Sequence, residues 1–436
     1  MATLPVKYYH SGMEGAPQVG NNWGDLTAML DACLVNGFQI KTINTLTASN
    51  GVATANITAG HKYAIDQVIV ISGANEADFQ GEFRVVTVTT NSFTFSVPSS
   101  APATATGTMT CKVAALNFEI AFTGTNKRAY RSTNVKSPKN MLLIDDGVKV
   151  MNPSVAGAQA YTTTWAKWAN VGIVQSMSDI GTITGAQAPF NAARPEFNWR
   201  QYEAGQFGWY KWYFARKGYD WARVENAVSW PPLNFNRPWF IVGDDRMFYL
   251  HIASDSTNLD QAVQYAFGDI ESFVAGDLYG TFLHAQDRAS EPTSGVTWAS
   301  SGGPTLGYTR VTEGKLLLRG VSGIGDPVAA GATSLNVSNS QNISGYENYI
   351  PYPNPADFGL WLTPCYVVQS DNCMRGTFPG LMYVHHRTPM SNLSVIGNVQ
   401  GAAGKKFILA NCSQVSTTDN GRTAQLAYDI TGPWRA

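Results

Sequence analysis

Charge is scarce in this chain: of its 436 residues only 14% are Asp, Glu, Lys or Arg, against roughly 25% in an average soluble protein. The surface must therefore be built largely from Ser, Thr, Asn, Gln and Gly. A formal net charge of −1 supplies no long-range field to gather nucleic acid or an anionic membrane, so neither is expected as a partner. Long apolar runs are missing too. Nothing approaches the ~18 apolar residues of a membrane helix, and MATLPVKYYHSG lacks the apolar core of a signal peptide. The expectation is a chain made and kept soluble in a cytoplasm, without membrane insertion.

Cysteine is sparse and unpatterned. The five, Cys33, Cys111, Cys365, Cys373 and Cys412, form no CxxC pair and have no nearby His to complete a zinc set, which reads as reduced and mostly buried thiols. Cys365 and Cys373 flank VVQSDN and could face each other across a hairpin, a bridge that a reducing compartment does not need. Catalytic signatures are lacking as well: no GxSxG elbow, HExxH helix, phosphate loop or dinucleotide fingerprint occurs. Acids such as Glu196, Glu203 and Glu271 are scattered. No fixed-period repeat appears, which argues against a long β-helix. The expectation is a protein that is not an enzyme and carries no cofactor or metal.

What is present is mostly strand. The run VIVIS after Gln67 is apolar and β-branched, SGANEADFQGEF is a turn-rich loop, and SFTFSV alternates Phe93, Phe95 and Val97 with small polar residues at the period of a half-buried strand. Thr45 to Ala55 and Thr106 to Lys112 can add outer strands, enough for a small sandwich or barrel. Further on, WFIV and MFYLHI read as two strands joined by Gly243-Asp244-Asp245-Arg246, a turn rather than an acidic site. Gly276-Asp277 reads as another turn. His385-His386 follows the strand LMYV, and adjacent residues of a strand point to opposite faces, so a shared metal is not expected. One helix is clearly written. In WGDLTAMLDACLVNGF the apolar Leu26, Met29, Leu30, Cys33 and Leu34 fall on one face, with Asp25 as the expected N-cap and Asn36-Gly37 as the stop.

Two resemblances follow from these segments. The stretch from Ala59 to Val97, with its ISGA strand end and its Phe-Gln-Gly step, resembles a recurrent β module of phage and bacterial surface proteins, with Gly60-His61 in reversed order at its turn. The segments LDACLVNGF, FTGTNKRAYRS and LLIDDG resemble the opening of a family of virion structural proteins of tailed bacteriophages. RPWFIVGDDRMFYL, FGDIESFVAGDLYGTFL, RGTFPGLMYVHH and LAYDITGPWR continue the likeness in order. In such proteins the helix runs almost directly into the GTNK segment, whereas here residues 45–112 intervene. The resemblance implies an insertion. The expected parts are 1–44 with 113–150 as an N-terminal domain holding the helix, 45–112 as an inserted β domain, 151–312 as an aromatic-rich central domain and 313–436 as a C-terminal domain.

The aromatic enrichment is local: of twelve Trp, Trp165, Trp168, Trp199, Trp209, Trp212, Trp221, Trp230 and Trp239 fall within one stretch. Trp199, Trp209, Tyr210, Trp212, Trp221 and Trp230 are the candidate contact residues, because large amphipathic rings serve subunit interfaces and glycan stacking alike. Core packing is the first reading of the same residues, ahead of interface and glycan contact. The expected fold class is mainly β and multidomain, with sandwich- or barrel-like domains and few short helices. The expected role is a structural component of a phage tail, in the baseplate or tail tip, contacting other tail proteins and itself in a symmetric ring. It would be assembled in the host cytoplasm and located in the virion. A receptor- or carbohydrate-binding protein meeting a host surface receptor is the alternative.

Overall fold

The computed structural model describes residues 5–148, 167–190, 192, 210–215, 232–285, 312–333, 352–353, 359–386, 390–413 and 423–435. The chain is mainly β, as its sequence predicts, with several sheets and a single short α-helix among these residues.

The helix Asp25–Leu30 continues as a π-helical turn, Asp31–Asn36. Leu26, Met29, Leu30, Cys33 and Leu34 are all buried, as their spacing requires. The stop is at Gly37, whose φ of +70° would strain any other residue and whose added Cβ would lie 2.3 Å from the Val113 carbonyl. The cap differs from the sequence reading. Asp25 turns back to accept from the amides of Gly20 and Asn22. The helix start is instead served by Asp146, whose Oδ2 accepts from Gly24, Leu26 and Thr27 N–H at 2.9, 3.0 and 3.3 Å. A distant carboxylate wins because the N-cap position is Gly24, which has no side chain to offer.

The segments either side of the β module are joined in space. Asp31 accepts from Arg128 Nε and Nη2 at 3.2 and 3.1 Å and from the Tyr130 hydroxyl at 2.6 Å. Thus the LDACLVNG helix, the GTNKRAYR strand and the LLIDDG strand form one unit. Strands Phe118–Gly124, Lys127–Ser132, Met141–Asp145 and Lys167–Val174 pair in succession, and the last also pairs with Gln187–Ala188 and Tyr210–Ala215.

Between them lie two four-stranded sheets. One orders Phe38–Thr42, Gly107–Val113, Val68–Ala74 and Gly81–Arg84; the other orders Thr45–Ser49, Val52–Asn56, Ser92–Ser96 and Thr87–Val88. Phe93 and Phe95 point inward together and meet Leu46, Ile69 and Ile71 in the buried core. The first strand of this pair of sheets, Phe38–Thr42, lies before residue 45. The module is also docked on the rest of the chain: Lys7 Nζ meets Glu82 Oε1 at 2.9 Å with both side chains almost fully buried, and Lys406 Nζ meets Asp66 at 2.7 Å.

The largest sheet has 13 strands and runs from Lys7–His10 through Trp239–Gly243, Met247–Ile252, Val263–Asp269 and Thr281–His284 to Thr312–Leu317 and Val328–Thr333. It continues through Leu362–Gln369, Met374–Val384, Thr423–Asp429 and Lys406–Ser413 to Ser394–Gly397, with Glu271–Ser272 beside Met374–Val384. The sheet bends onto itself without closing into a barrel among the described residues. Tyr428 from its far part packs on Phe240, Tyr249 and His251 from its near part, with ring centroids 6.2, 5.0 and 5.6 Å apart. Cys33, Cys111, Cys365 and Cys373 are free thiols. Cys365 is buried and Cys373 exposed, so the hairpin does not bring the last two together.

Candidate functional site

Of the aromatic candidates, Tyr210 and Trp212 are described, and both are interior. They sit on the Tyr210–Ala215 strand, every residue of which is buried. Trp212 donates its indole N–H to the His284 carbonyl at 3.0 Å and stacks on Tyr265 at 5.6 Å. Tyr213, on the opposite face, packs on Trp168 at 5.9 Å. A run of successive aromatic residues is accommodated because the strand is covered on both faces. Trp199, Trp209, Trp221 and Trp230 lie outside the described residues.

The ionisable side chains are spent on ties between elements. Asp244 uses Oδ1 to accept from the amides of Arg246 and Met247, closing the turn, and Oδ2 to receive Arg435. Burial pushes its carboxyl up, opposed by the Arg435 guanidinium. Asp277 is held by both forks of fully buried Arg375 at 2.7 Å each. Burial pushes the Asp277 carboxyl up, but its hydrogen bonds with Arg375 and Ser272 leave it lowered on balance. Arg237 bonds the carbonyls of Phe235, Leu233 and Ser254. These residues belong to the RPWFIVGDDRMFYL, FGDIESFVAGDLYGTFL, RGTFPGLMYVHH and DITGPWR segments, whose charged side chains hold the fold together.

One buried relay crosses the bent sheet. Gln264 donates to the Tyr428 hydroxyl at 2.6 Å, Tyr428 donates to His251 Nε2 at 2.7 Å, and His251 Nδ1 faces the Asn411 carbonyl at 3.3 Å. The order places the imidazole proton on Nδ1. Burial lowers the His251 pKa to about 3, keeping it neutral.

The feature with an open surface is elsewhere, on the outer face of the strands Met374–Val384, Lys406–Ser413 and Thr423–Asp429. Their alternate residues Tyr383, Ile408, Leu426 and Tyr428 enter the main core. The intervening Val384, Phe407, Leu409 and Ala427 form a second apolar cluster on the other side. An antiparallel sheet with one face on a core ordinarily turns polar residues outward; this one is apolar on both. Over the second cluster runs a groove of about 940 Å³. Met382, Met390, Ile396 and Val399 are among its apolar walls, Trp361 and Tyr352 are its exposed aromatic rim, and Asn398 and Gln400 supply its amide side chains. Among the described residues, no Asp, Glu, Lys, Arg or His lines it.

The rim is braced from beneath by the histidine pair. His386 Nε2 accepts from the Trp361 amide at 2.7 Å, and His385 Nε2 meets the Thr363 hydroxyl at 2.7 Å. Their rings pack on Tyr352 and Trp361, with centroids 5.5 and 5.4 Å apart. Burial, followed by the neighbouring His386, lowers His385 to about 4. No group of His, Cys, Asp or Glu among the described residues is arranged to hold a metal ion. Sequence reading missed the groove, because an outward apolar face looks the same along the chain as an inward one.

No protein-family model matches the chain, and no curated protein matches it. Among solved structures, similarity is found to the Phage phi92 endosialidase, at 10% identity and a TM-score of 0.15, over 90% of this chain and 51% of that one. The chain thus spans about half the length of that protein.

Proposed function

We propose that the chain is a structural component of a phage tail, in the baseplate or tail tip, and works through protein-protein contacts in a symmetric ring with other tail proteins. The single observation that carries a contact role is the second apolar sheet face, left partly open as a groove without charged side chains among the described residues, beside Trp361 and Tyr352. Exposed apolar surface of this kind marks an interaction site. A further set, Phe273, Leu278, Ile324 and Met374, is exposed around the loops that Arg375 and Asp277 pin. The tail assignment is supported by the sequence segments from LDACLVNG to DITGPWR. The four-part division at 1–44 with 113–150, 45–112, 151–312 and 313–436 belongs to the same proposal.

The second reading, a receptor- or carbohydrate-binding protein of the tail, is favoured by the exposed Trp361 and Tyr352 alone. The experiment is localisation: purified particles are imaged by electron cryomicroscopy and their protein content measured by mass spectrometry. The expected result is this chain as ordered, symmetric density within the tail. A chain found only in the soluble lysate would overturn the tail reading, and one displayed solely at the distal rim would favour receptor binding.

A further inference from the structure

The groove runs beside an open sheet edge. The Ser394–Gly397 strand is the last of the large sheet and pairs only with Lys406–Ser413 among the described residues. Ile396 stands opposite Phe407, so its side chain lies on the groove face, while Val395 is exposed on the other. An unpaired edge presents backbone N–H and C=O groups in register for another strand. Here that edge adjoins a channel with apolar side chains and polar groups in its walls, the arrangement used in strand addition, where main-chain bonds give affinity and pockets take alternate side chains.

We infer that this edge and groove take an extended, uncharged segment of a partner polypeptide, which adds as a further strand beside Ser394–Gly397 and turns alternate apolar side chains onto the Ile396–Phe407 face. This rests on the reading of the groove as a protein-contact surface and names its occupant. Three observations select that occupant. Among the described residues no Asp, Glu, Lys, Arg or His lines the groove, so these walls offer nothing to pair with a charged ligand. The flexible Met382 and Met390 suit side chains of several shapes. A saccharide fits worse, because many of its hydroxyls would be buried against Leu360, Met382, Met390 and Ile396, with Asn398, Gln400, Tyr352 and the Trp361 indole N–H as the polar side-chain groups among the described residues. A peptide brings its polar groups in its backbone, and the open edge offers them partners, apart from the Ser394 N–H, which is donated to the Ser391 carbonyl.

The test uses the full chain and isothermal titration with an acetylated, amidated octapeptide alternating Thr and Val. Versions with Asp at two Val positions, and versions N-methylated at odd or at even residues, complete the series, with maltoheptaose as the neutral saccharide. The expected result is saturable binding of the Thr-Val peptide, weakened about tenfold or more by the Asp substitutions. One N-methylated series should lose binding by a similar factor while the other keeps it, since only one set of amides faces the edge. Trp361→Ala, a rim variant whose fold is checked by circular dichroism, and Ile396→Ser should each weaken binding. Failure of the Thr-Val peptide to bind, equal loss in both methylated series, or unchanged binding to both variants overturns the inference. Binding of maltoheptaose in place of the peptide overturns it in favour of a saccharide. Self-association in sedimentation that Trp361→Ala abolishes, without peptide binding, overturns it in favour of a second copy. None of these outcomes bears on whether the chain is present in the tail, which the particle experiment decides.

Discussion

The Asp146 carboxylate serves three amides of the first helical turn, and Leu26 and Thr27 are buried there, so water cannot replace it. A lost cap costs about 1 kcal/mol, and buried amides left unpaired cost about 1–3 kcal/mol more. Asp146→Ala is therefore expected to lower the unfolding free energy in urea by roughly 2–4 kcal/mol. Asp25→Ala, which releases only Gly20 and Asn22, should cost less than about 1 kcal/mol. Equal midpoint shifts for the two variants would show that Asp146 does not carry the cap. His251 supplies a pH dependence at the same scale. Its folded pKa of about 3 lies below the ordinary 6.5 because burial disfavours the imidazolium. Above pH 6.5 neither state is protonated and its contribution is intact; from 6.5 down to 3 only the unfolded chain binds the proton, so stability falls across that window. His385, lowered to about 4, adds to the fall between 6.5 and 4. Between pH 6.5 and roughly 5, above the ordinary carboxylate range, the slope reports His251 and His385 together. There His251→Gln should reduce proton uptake on unfolding, read as the slope of stability against pH, and an unchanged slope would place the titration elsewhere.

Elements are tied by buried charge, and such ties fail asymmetrically. Arg375 and Asp277 have side-chain exposures of 0% and 5%, so Arg375→Ala leaves a carboxylate without its cation and should cost about 3–5 kcal/mol. Replacing both, Arg375→Met with Asp277→Leu, should recover much of that loss in thermal or urea unfolding; a double variant as unstable as the sum of the singles would show that charge is not the issue. The same physics bears on the β module. Cutting out 45–112 takes Glu82 from buried Lys7 and Gly107–Lys112 from its Phe38–Thr42 partner. We expect that excision alone yields aggregated protein and that adding Lys7→Met recovers soluble material, measured by size-exclusion chromatography. Soluble product without the second change would mean the body tolerates the orphaned lysine. Legibility in the sequence follows the same division between local and distant contacts. The buried face from Leu26 to Leu34, the Phe93 and Phe95 alternation and the hairpin between Trp239–Gly243 and Met247–Ile252 were readable, because each is settled by residues close in sequence. Asp146 in place of Asp25 was not, since the choice depends on a strand more than a hundred residues away, nor was the Asp277–Arg375 pair hidden in what reads as a turn. The groove was illegible for another reason. Phe407-Ile408-Leu409 is apolar on both faces, and only the fold shows that Ile408 meets the core while Phe407 and Leu409 face outward.

At the scale of the whole molecule, the distribution of charge sets what assembly contacts can be. The chain carries 30 Lys and Arg against 31 Asp and Glu. Many of those described, including Lys7, Arg375 and Arg435, are committed to internal pairs. The groove contributes no charge among the described residues, and another exposed apolar set is Phe273, Leu278, Ile324 and Met374. On the proposed reading, a ring built from this subunit needs a heterologous contact that closes, and that contact is expected to rest on apolar area and backbone hydrogen bonds. Salt then separates the possibilities. At ~1 M the Debye length falls to ~3 Å, which weakens exposed ion pairs but leaves apolar contacts in place, and excluded salts such as sulfate strengthen them. Particles washed from low salt to about 1 M NaCl are therefore expected to retain the chain at constant stoichiometry by mass spectrometry. Sulfate at the same ionic strength should retain it at least as well. Selective release in NaCl would mean that ion pairs hold the subunit, and the contact would then have to be sought away from the groove, on a surface that carries charged side chains.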